Sequence, residues 1–296
     1  DCVLPPNAKL LLSRYDALTI SNLHTEEAQA TSRSSVTLLL YYNGLLTSFR
    51  AQKGAYTSSF FPKQYSLDNY VKLFTDTGIL NFPRMFTNTL IIAVFSCIIS
   101  TFFVLSVAYC MSRLKFKMRK AMMNIAMILG LFPAFMAMVA VYYILKAVGL
   151  SEGAMIRVAL VLVYSASSGI QFYIAKGFFD TVPKSLTEAA ILDGCTQFQV
   201  FYKVILPLSK PIVVYTVLTA FLAPWLDFVF VKVIVGPNDK YWTVSLLLYN
   251  MLEKEFINGW FTRWAAAAVV VSIPISILFI IMQRFYVDGL TGAVKG

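Results

Sequence analysis

Five apolar runs are long enough to cross a lipid bilayer, and they constrain the fold of this chain more than any other feature. An α-helix rises about 1.5 Å per residue, so roughly 20 apolar residues cross a hydrocarbon core about 30 Å thick. Four of the runs carry no charged residue, and the fourth along the chain contains one, Asp227. The runs are residues 90–110, 121–145, 158–175, 211–231 and 265–282. We therefore predict an all-α, polytopic membrane protein with five clear transmembrane helices.

The loop between the first two runs predicts the orientation in the membrane. Its basic residues fall close together with no acidic residue among them: Arg113, Lys115, Lys117, Arg119 and Lys120. Short loops rich in Lys and Arg stay on the cytoplasmic side. We place this loop, and the segment 185–207 two crossings later, in the cytoplasm. The net charge of +10 then reflects topology rather than nucleic-acid binding, although scattered basic residues at 50–84 fall on the predicted outer side.

Residues 185–207 predict two short helices joined by a sharp turn. Two residue pairs have the S/T-x-x-E/Q spacing of a capping box: Ser185 with Glu188, and Thr196 with Gln199. Gly194 lies between the helices, where a chain leaving a helix often needs a positive φ. Pro207 is expected to end the second helix because it has no amide hydrogen to donate.

Both predicted helices present an apolar face. Residues three and four apart share one side of a helix. This spacing groups Leu186, Ala189 and Ala190 in the first helix, and Phe198, Phe201, Tyr202 and Ile205 in the second. Spacing alone leaves two interpretations open: the faces pack on neighbouring spans, or they receive another protein.

The residues of this segment resemble the cytoplasmic loop signature of ABC importer permeases. That signature is written EAA, three residues, G, nine residues, I-x-L-P. The matching positions are Glu188, Ala189, Ala190, Gly194, Leu206 and Pro207, with Val204 in place of the isoleucine. The resemblance implies that these residues couple the permease to an ATPase. In that family a rigid helix docks in a cleft of the ATPase, and the turn at Gly194 would fix its angle.

Further stretches resemble carbohydrate importers in particular. They are Phe61-Pro62 with Asn69-Tyr70 in an outer loop, Leu131-Phe132-Pro133, Ala223–Phe228, and the tail Gly289–Gly296. The tail is similar to that of the second permease subunit of maltose/maltodextrin-type systems. The resemblance covers residues 45–296, which we predict to form one ABC importer transmembrane domain.

The resemblance implies a multi-pass subunit of the cell membrane, surrounded by lipid, that works by alternating access. Its expected partners are a homologous permease subunit, an ATPase dimer and an extracellular sugar-binding protein. Maltose, maltodextrin or a related oligosaccharide is the expected substrate. In the family this subunit is not the main provider of sugar ligands, so no substrate-binding residue is nominated.

Residues 1–44 differ from the rest of the chain. They are polar and mixed, and their one apolar run, residues 36–46, is too short to cross a bilayer. The family normally has a first span just before the segment that matches Thr47-Ser48-Phe49-Arg50. We interpret 1–44 as an atypical segment in place of that span, arising from a frameshift or another alteration, with a genuine surface-lying start as the alternative.

No catalytic, metal or cofactor site is expected. His24 is the only histidine, and the four cysteines have no metal-ligand spacing. The phosphate-binding pattern G-x-x-x-x-G-K-[S/T] does not occur in the sequence. We therefore predict a transport subunit that is not an enzyme, and any ATP use must come from a partner.

A secondary transporter or a channel is the alternative function. Such a protein usually places several ionisable groups within the membrane. Here the single candidate is Asp227, about one helical turn from the predicted end of its span at Val231. An interfacial or structural role and a role in a transport pathway both stay open for this residue.

Overall fold

The computed structural model describes residues 44–54, 61–130, 134–166, 169–253 and 257–293. Within these ranges the ordered elements are helices, apart from one isolated antiparallel bridge between Arg50 and Tyr65. The α-helices are α1 (Asp68–Thr75), α2 (Phe82–Arg113), α3 (Arg119–Gly130), α4 (Ala134–Ala147), α5 (Met155–Ala166), α6 (Gly169–Thr181), α7 (Lys184–Leu192), α8 (Gln197–Leu208), α9 (Lys210–Leu226), α10 (Val229–Val235), α11 (Val244–Met251) and α12 (Ile257–Ala293). The all-α prediction is confirmed.

The long helix α2 is the centre of the packing. Asn81 precedes it, and the Asn81 Oδ1 atom accepts a hydrogen bond from the backbone N–H of Arg84 at 3.1 Å. Such a side-chain cap satisfies one of the amides that have no partner at a helix start. α2 then packs along its length against α9, α6 and α5. It thereby joins the two ends of the molecule.

Three apolar clusters are arranged along α2. The first half of α2 packs with α9, α11 and α12, and a second cluster joins α5, α10 and α11. The third lies beside the basic loop, and we name it the cytoplasmic cluster. Its fully buried or nearly buried members come from α2, α6, α8 and α9, and include Leu105, Ala108, Phe179, Val200, Ile205 and Ile212. This cluster is the base on which the helix pair rests.

The described residues contain two helices that are long and apolar enough to cross a membrane, Phe82–Arg113 and Gly259–Gln283. They contain the predicted spans 90–110 and 265–282. If each of two bent helix pairs is counted as one span, the described residues contain four spans. The predicted number of five transmembrane helices is therefore not confirmed. The predicted span 121–145 is divided between α3 and α4, and its residues 131–133, with Leu131-Phe132-Pro133, lie outside the described residues.

Apolar side chains face outward on both long helices. On α2 they include Phe95, Ile98, Phe102 and Phe103, and on α12 they include Ile277, Phe279 and Ile280. In water, contiguous apolar surface of this kind would be unfavourable, whereas lipid or another membrane helix accepts it. The exposure pattern therefore agrees with a membrane-spanning fold.

The predicted span 211–231 is wrong at its outer end. α9 stops at Leu226, and Asp227 separates it from α10. The Asp227 carboxylate accepts hydrogen bonds from the backbone N–H of Phe230 at 3.0 Å and from the Tyr164 hydroxyl at 3.1 Å. It caps the start of α10, since a short carboxylate satisfies a free amide there. Of the two roles left open for Asp227, these contacts favour the structural one.

Residues 1–43 lie outside the described residues, as do 294–296 at the end of the matching tail. The atypical segment 1–44 and its boundary with 45–296 thus stay predictions.

The structure begins with a helical turn at 44–48, and the Ser48 hydroxyl lies 2.7 Å from the Tyr70 hydroxyl. Buried Asn69 donates to the backbone carbonyls of Ser48 and Arg50, both at 2.9 Å, which fastens this turn to α1.

Candidate functional site: the cytoplasmic helix pair

The first helix of the pair, α7, starts two residues earlier than the capping pattern predicts. Pro183 is its N-cap residue, with φ −55° and ψ 133°, and no side chain caps this end. The capping box predicted for Ser185 and Glu188 is therefore wrong. Proline already has the φ that a helix start requires, and it moves Ser185 into the first turn, where its hydroxyl no longer occupies the cap position.

The loss of that box leaves the Glu188 side chain exposed. Among the described residues its carboxylate has no hydrogen-bond or ion-pair partner. Ala189 is also exposed, whereas Ala190 is half-buried against the cytoplasmic cluster. In the predicted docking helix, Glu188 and Ala189 are thus exposed, whereas Ala190 contributes to internal packing.

The turn after α7 has the geometry predicted for Gly194. Its φ is +83°, in the left-handed region. The N–H of Cys195 donates to the carbonyl of Ala190 and the N–H of Gly194 to that of Ile191, both at 3.0 Å. These two bonds form a Schellman motif, in which glycine is favoured at this position because it has no Cβ. A Cβ at Gly194 would meet no atom within 4 Å, so the requirement comes from the backbone alone.

The second helix, α8, begins with the capping box that the sequence predicts. The Gln199 N–H donates to Thr196 Oγ1 at 3.3 Å, and the Thr196 N–H donates to Gln199 Oε1 at 2.8 Å. The helix ends at Leu208, one residue beyond Pro207. A π-helical segment at Phe201–Ile205 precedes this end. Such widened turns accommodate a residue that cannot complete the regular hydrogen-bond pattern, as Pro207 cannot.

One side of α8 anchors the pair to the membrane-spanning helices. Val200, Phe201 and Ile205 are buried in the cytoplasmic cluster, and the Phe201 ring lies 4.9 Å from the Tyr109 ring of α2. The Tyr109 hydroxyl is 2.9 Å from Gln197 Oε1 and 3.1 Å from the Gln197 carbonyl oxygen. α8 is therefore held both by apolar burial and by a hydrogen bond at its first residue.

The predicted apolar stripe of α8 is divided between two environments. Phe201 and Ile205 are buried, but Phe198 is 67% and Tyr202 is 43% exposed. On the predicted apolar face of α7, Leu186 and Ala189 are exposed. Leu192, which lies beside the turn, is 87% exposed. We name the exposed apolar residues of the pair the docking surface: Leu186, Ile191, Leu192, Phe198 and Tyr202. The interpretation that the faces pack on neighbouring spans is thus confirmed for part of α8, whereas reception of another protein by the exposed residues stays a prediction.

Contacts at the end of α2 support the base of the pair. The Arg113 guanidinium donates to the backbone carbonyls of Phe179 and Val182, the latter at 2.6 Å. The Ser112 hydroxyl donates to Asp180 Oδ1 at 2.6 Å, and Asp180 also pairs with Lys176. These contacts fasten the end of α6, and so the start of α7, to α2. The basic loop was the only sequence signal at these positions, and it could not show which carbonyls Arg113 contacts.

None of the described residues forms a group of three or more His, Cys, Asp or Glu side chains that could hold a metal ion. The site consists instead of a rigid turn, an exposed carboxylate, an exposed apolar surface and a buried anchor. Its chemistry suits mechanical docking of another protein.

Comparison with known proteins identifies the family. Residues 104–291 match the family described as the binding-protein-dependent transport system inner membrane component. This chain belongs to that family. The match includes α7 and α8, the two helices of the cytoplasmic pair, and the three helices α9–α11 that follow them. Members of the family are transport permease subunits of ABC importers. The resemblance to these permeases that the sequence analysis describes is confirmed.

Curated relatives of this family member are permeases of sugar transport systems. It is 31% identical to the galactooligosaccharides transport system permease protein GanQ of Bacillus subtilis over 251 residues, which cover 84% of this chain and 87% of GanQ. It is 30% identical to the maltodextrin transport system permease protein MalD of Streptococcus pneumoniae, with 88% of this chain and 92% of MalD covered.

A solved structure has the same fold. It is the crystal structure of a bacterial ABC transporter involved in the import of the acidic polysaccharide alginate. One of its chains matches with a TM-score of 0.70 and 18% identity, and the match covers 96% of this chain and 99% of that chain. The ABC importer permease fold predicted from the sequence is confirmed.

Proposed function

We propose that this chain is a permease subunit of an ATP-driven oligosaccharide importer, in which the α7–α8 pair receives a separate ATPase subunit. Family membership supports the transport role. The observation that carries the coupling role is the Schellman turn at Gly194, which fixes an outward-facing α7 to an α8 buried in the spanning helices. A movement imposed on α7 would reach the membrane through α8 with little loss, because closely packed interiors transmit displacement.

The six positions that match the loop signature divide into three groups. Glu188 and Ala189 face outward, and we assign them to contact with the ATPase: the carboxylate by charge and the methyl group by close approach. Gly194 sets the angle of α7. Ala190 and Leu206 pack against the cytoplasmic cluster, and Pro207 lies at the end of α8. We assign these three to positioning the pair.

The proposed substrate is a neutral oligosaccharide such as a maltodextrin or a galactooligosaccharide. The names of the curated relatives support this class. Family membership supports the proposed partners: a homologous permease that completes the translocation pathway, an ATPase dimer and an extracellular sugar-binding protein. The complex would lie in the cell membrane with the helix pair on the cytoplasmic side.

Reconstitution of the complex in proteoliposomes tests this function. Labelled maltodextrin and labelled galactooligosaccharide are supplied with the binding protein on the outer face and ATP on the inner face. We expect uptake of at least one sugar only when the ATPase subunit and ATP are both present. Equal uptake without the ATPase would contradict the proposal and would favour the secondary-transporter alternative.

A further inference from the structure

A cavity of about 340 Å³ lies between the basic loop and α7, and exposed Glu188 lies at its edge. The end of α2 contributes Arg113, and the loop and the start of α3 contribute Lys115 and Arg119. α7 contributes Lys184, Thr187 and Glu188. The cavity therefore adjoins the helix that we assign to ATPase docking.

The charge of the cavity is unbalanced. Four cationic side chains line it against a single carboxylate, that of Glu188. Among the described residues none of the four forms an ion pair within 4.0 Å. Like charges in a partly enclosed space repel one another, and an anion would relieve that repulsion.

Two of the residues that line the cavity each carry a buried polar side-chain atom that has no hydrogen-bond partner among the described residues. These atoms are Thr187 Oγ1 and Arg113 Nε, and the Thr187 residue is only 8% exposed. Buried polar atoms are rarely left unpaired in folded proteins, and each such atom calls for an explanation. Both atoms can donate, as can the ammonium groups of the lysines. A ligand that pairs with these donors would therefore offer several acceptors and a negative charge.

We propose that this cavity binds a phosphate group, carried by an anionic phospholipid or by a soluble phosphate, and that the bound group fixes the position of α7. Phosphate offers several acceptor oxygens to Arg, Lys and hydroxyl donors. Basic pockets on the cytoplasmic side of membrane proteins bind lipid headgroups. Binding is a property of this chain alone, so it can be measured without the ATPase, and its failure leaves the proposed function untouched.

A second basic hollow supplies a matched control. It adjoins the cavity, shares Lys115 and Arg119 with it, and is lined in addition by Lys117 and Lys120, which do not line the cavity. The double variants Arg119→Gln/Lys184→Gln and Lys117→Gln/Lys120→Gln remove the same charge from the same side of the protein. A difference between them reports the cavity rather than the general surface charge.

The test measures the thermal unfolding midpoint of the purified full-length chain in an uncharged detergent. Inorganic phosphate, a short-chain phosphatidylglycerol and, as the uncharged comparison, a short-chain phosphatidylcholine are titrated at constant ionic strength. We expect a saturable rise of the midpoint with phosphatidylglycerol. A rise with inorganic phosphate as well would show that the phosphate group alone suffices, and its absence would assign the site to lipid.

We expect Arg119→Gln/Lys184→Gln to need about tenfold more ligand for the same rise, and Lys117→Gln/Lys120→Gln to respond like the native chain. Thr187→Val keeps the charge, so it serves if the double variant does not fold. Without ligand it should be as stable as the native chain, because it removes an unpaired hydroxyl, and with ligand its midpoint should rise less. Equal responses of the two double variants, or no saturable rise with either phosphate compound, would overturn the proposal.

Discussion

Gly194 has a backbone conformation that few other residues adopt without strain. Its φ of +83° costs an L-residue with a Cβ roughly 1–2 kcal/mol, and asparagine less than most. Open space around the position means that a substituted side chain would strain only the backbone. Substitution at this residue therefore changes the angle between α7 and α8 without disturbing the packed core.

We expect Gly194→Val to insert in the membrane and to bind its permease partner, but to lose sugar-stimulated ATP hydrolysis. The β-branched side chain is poorly suited to positive φ, so α7 would leave its docking angle. Gly194→Asn is the matched control, and it should retain more activity. Wild-type ATP turnover and ATPase co-purification in the valine variant would remove the turn from its proposed role.

Glu188 offers a second test at this scale, because its carboxylate is exposed and unpaired among the described residues. We expect Glu188→Gln to reduce co-purification of the ATPase subunit, because it removes the charge that we assign to contact with that subunit. Asp193→Asn removes the same charge from an exposed position of the same turn. If both variants reduce co-purification equally, the effect comes from general charge and not from Glu188.

At the scale of elements, short sequence motifs predicted most of the helix pair. They did not predict the contacts that hold the pair against the membrane-spanning helices. The turn at Gly194 and the box of Thr196 and Gln199 follow from residues close in sequence, which local geometry dictates. The box at Ser185 fails because the neighbouring Pro183 provides the helix start. Contacts such as Tyr109 with Gln197 join residues 88 positions apart, and no local pattern contains them.

The break at Asp227 was missed for a related reason. The residues that follow it, Val229–Val235, are apolar enough to continue a span, so hydropathy shows no end there. The extended backbone of Asp227, with ψ 116°, and the hydrogen bond from the Phe230 N–H to its carboxylate reveal that a new helix starts. Hydropathy reports the environment of a segment, whereas the course of the backbone depends on individual hydrogen bonds.

The two capping boxes give opposite predictions for alanine. Thr196→Ala removes a cap that the structure contains and should destabilise the start of α8 by about 1 kcal/mol. Ser185→Ala removes a hydroxyl that caps nothing and should leave α7 unchanged. Hydrogen exchange of the backbone amides in the two helices measures both effects. A comparable increase in exchange for Ser185→Ala would mean that α7 starts as the sequence pattern suggested.

At the scale of the whole molecule, the charge pattern predicts that the helix pair and the 236–243 loop lie on opposite sides of the membrane. Leu192 and Asp239 are exposed positions at these two ends. In a chain whose own cysteines are replaced by serine, we expect Leu192→Cys to react with an impermeant maleimide only from the cytoplasmic side. Asp239→Cys should react only from the outside.

The bound ATPase should protect Leu192→Cys from the maleimide and leave Asp239→Cys reactive. This comparison separates docking on the α7–α8 pair from a general change in accessibility. Reaction of both positions from the same side would contradict the orientation derived from the basic loop. Unchanged reactivity of Leu192→Cys in the assembled complex would remove Leu192 from the docking surface.

The bend of 89° between α8 and α9 has a mechanical consequence. At 1.5 Å per residue the two helices are arms of about 18 and 25 Å that meet at Ser209. Ser209 and Ile205 at this elbow are fully buried, which favours rotation of both arms together over a change in their angle. A rotation of about 10° about the elbow would move the Gly194 turn by about 3 Å, and the far end of α9 by about 4 Å in a perpendicular direction. The joint would thus act as a right-angled lever, converting a push along the membrane normal into a sideways tilt of α9.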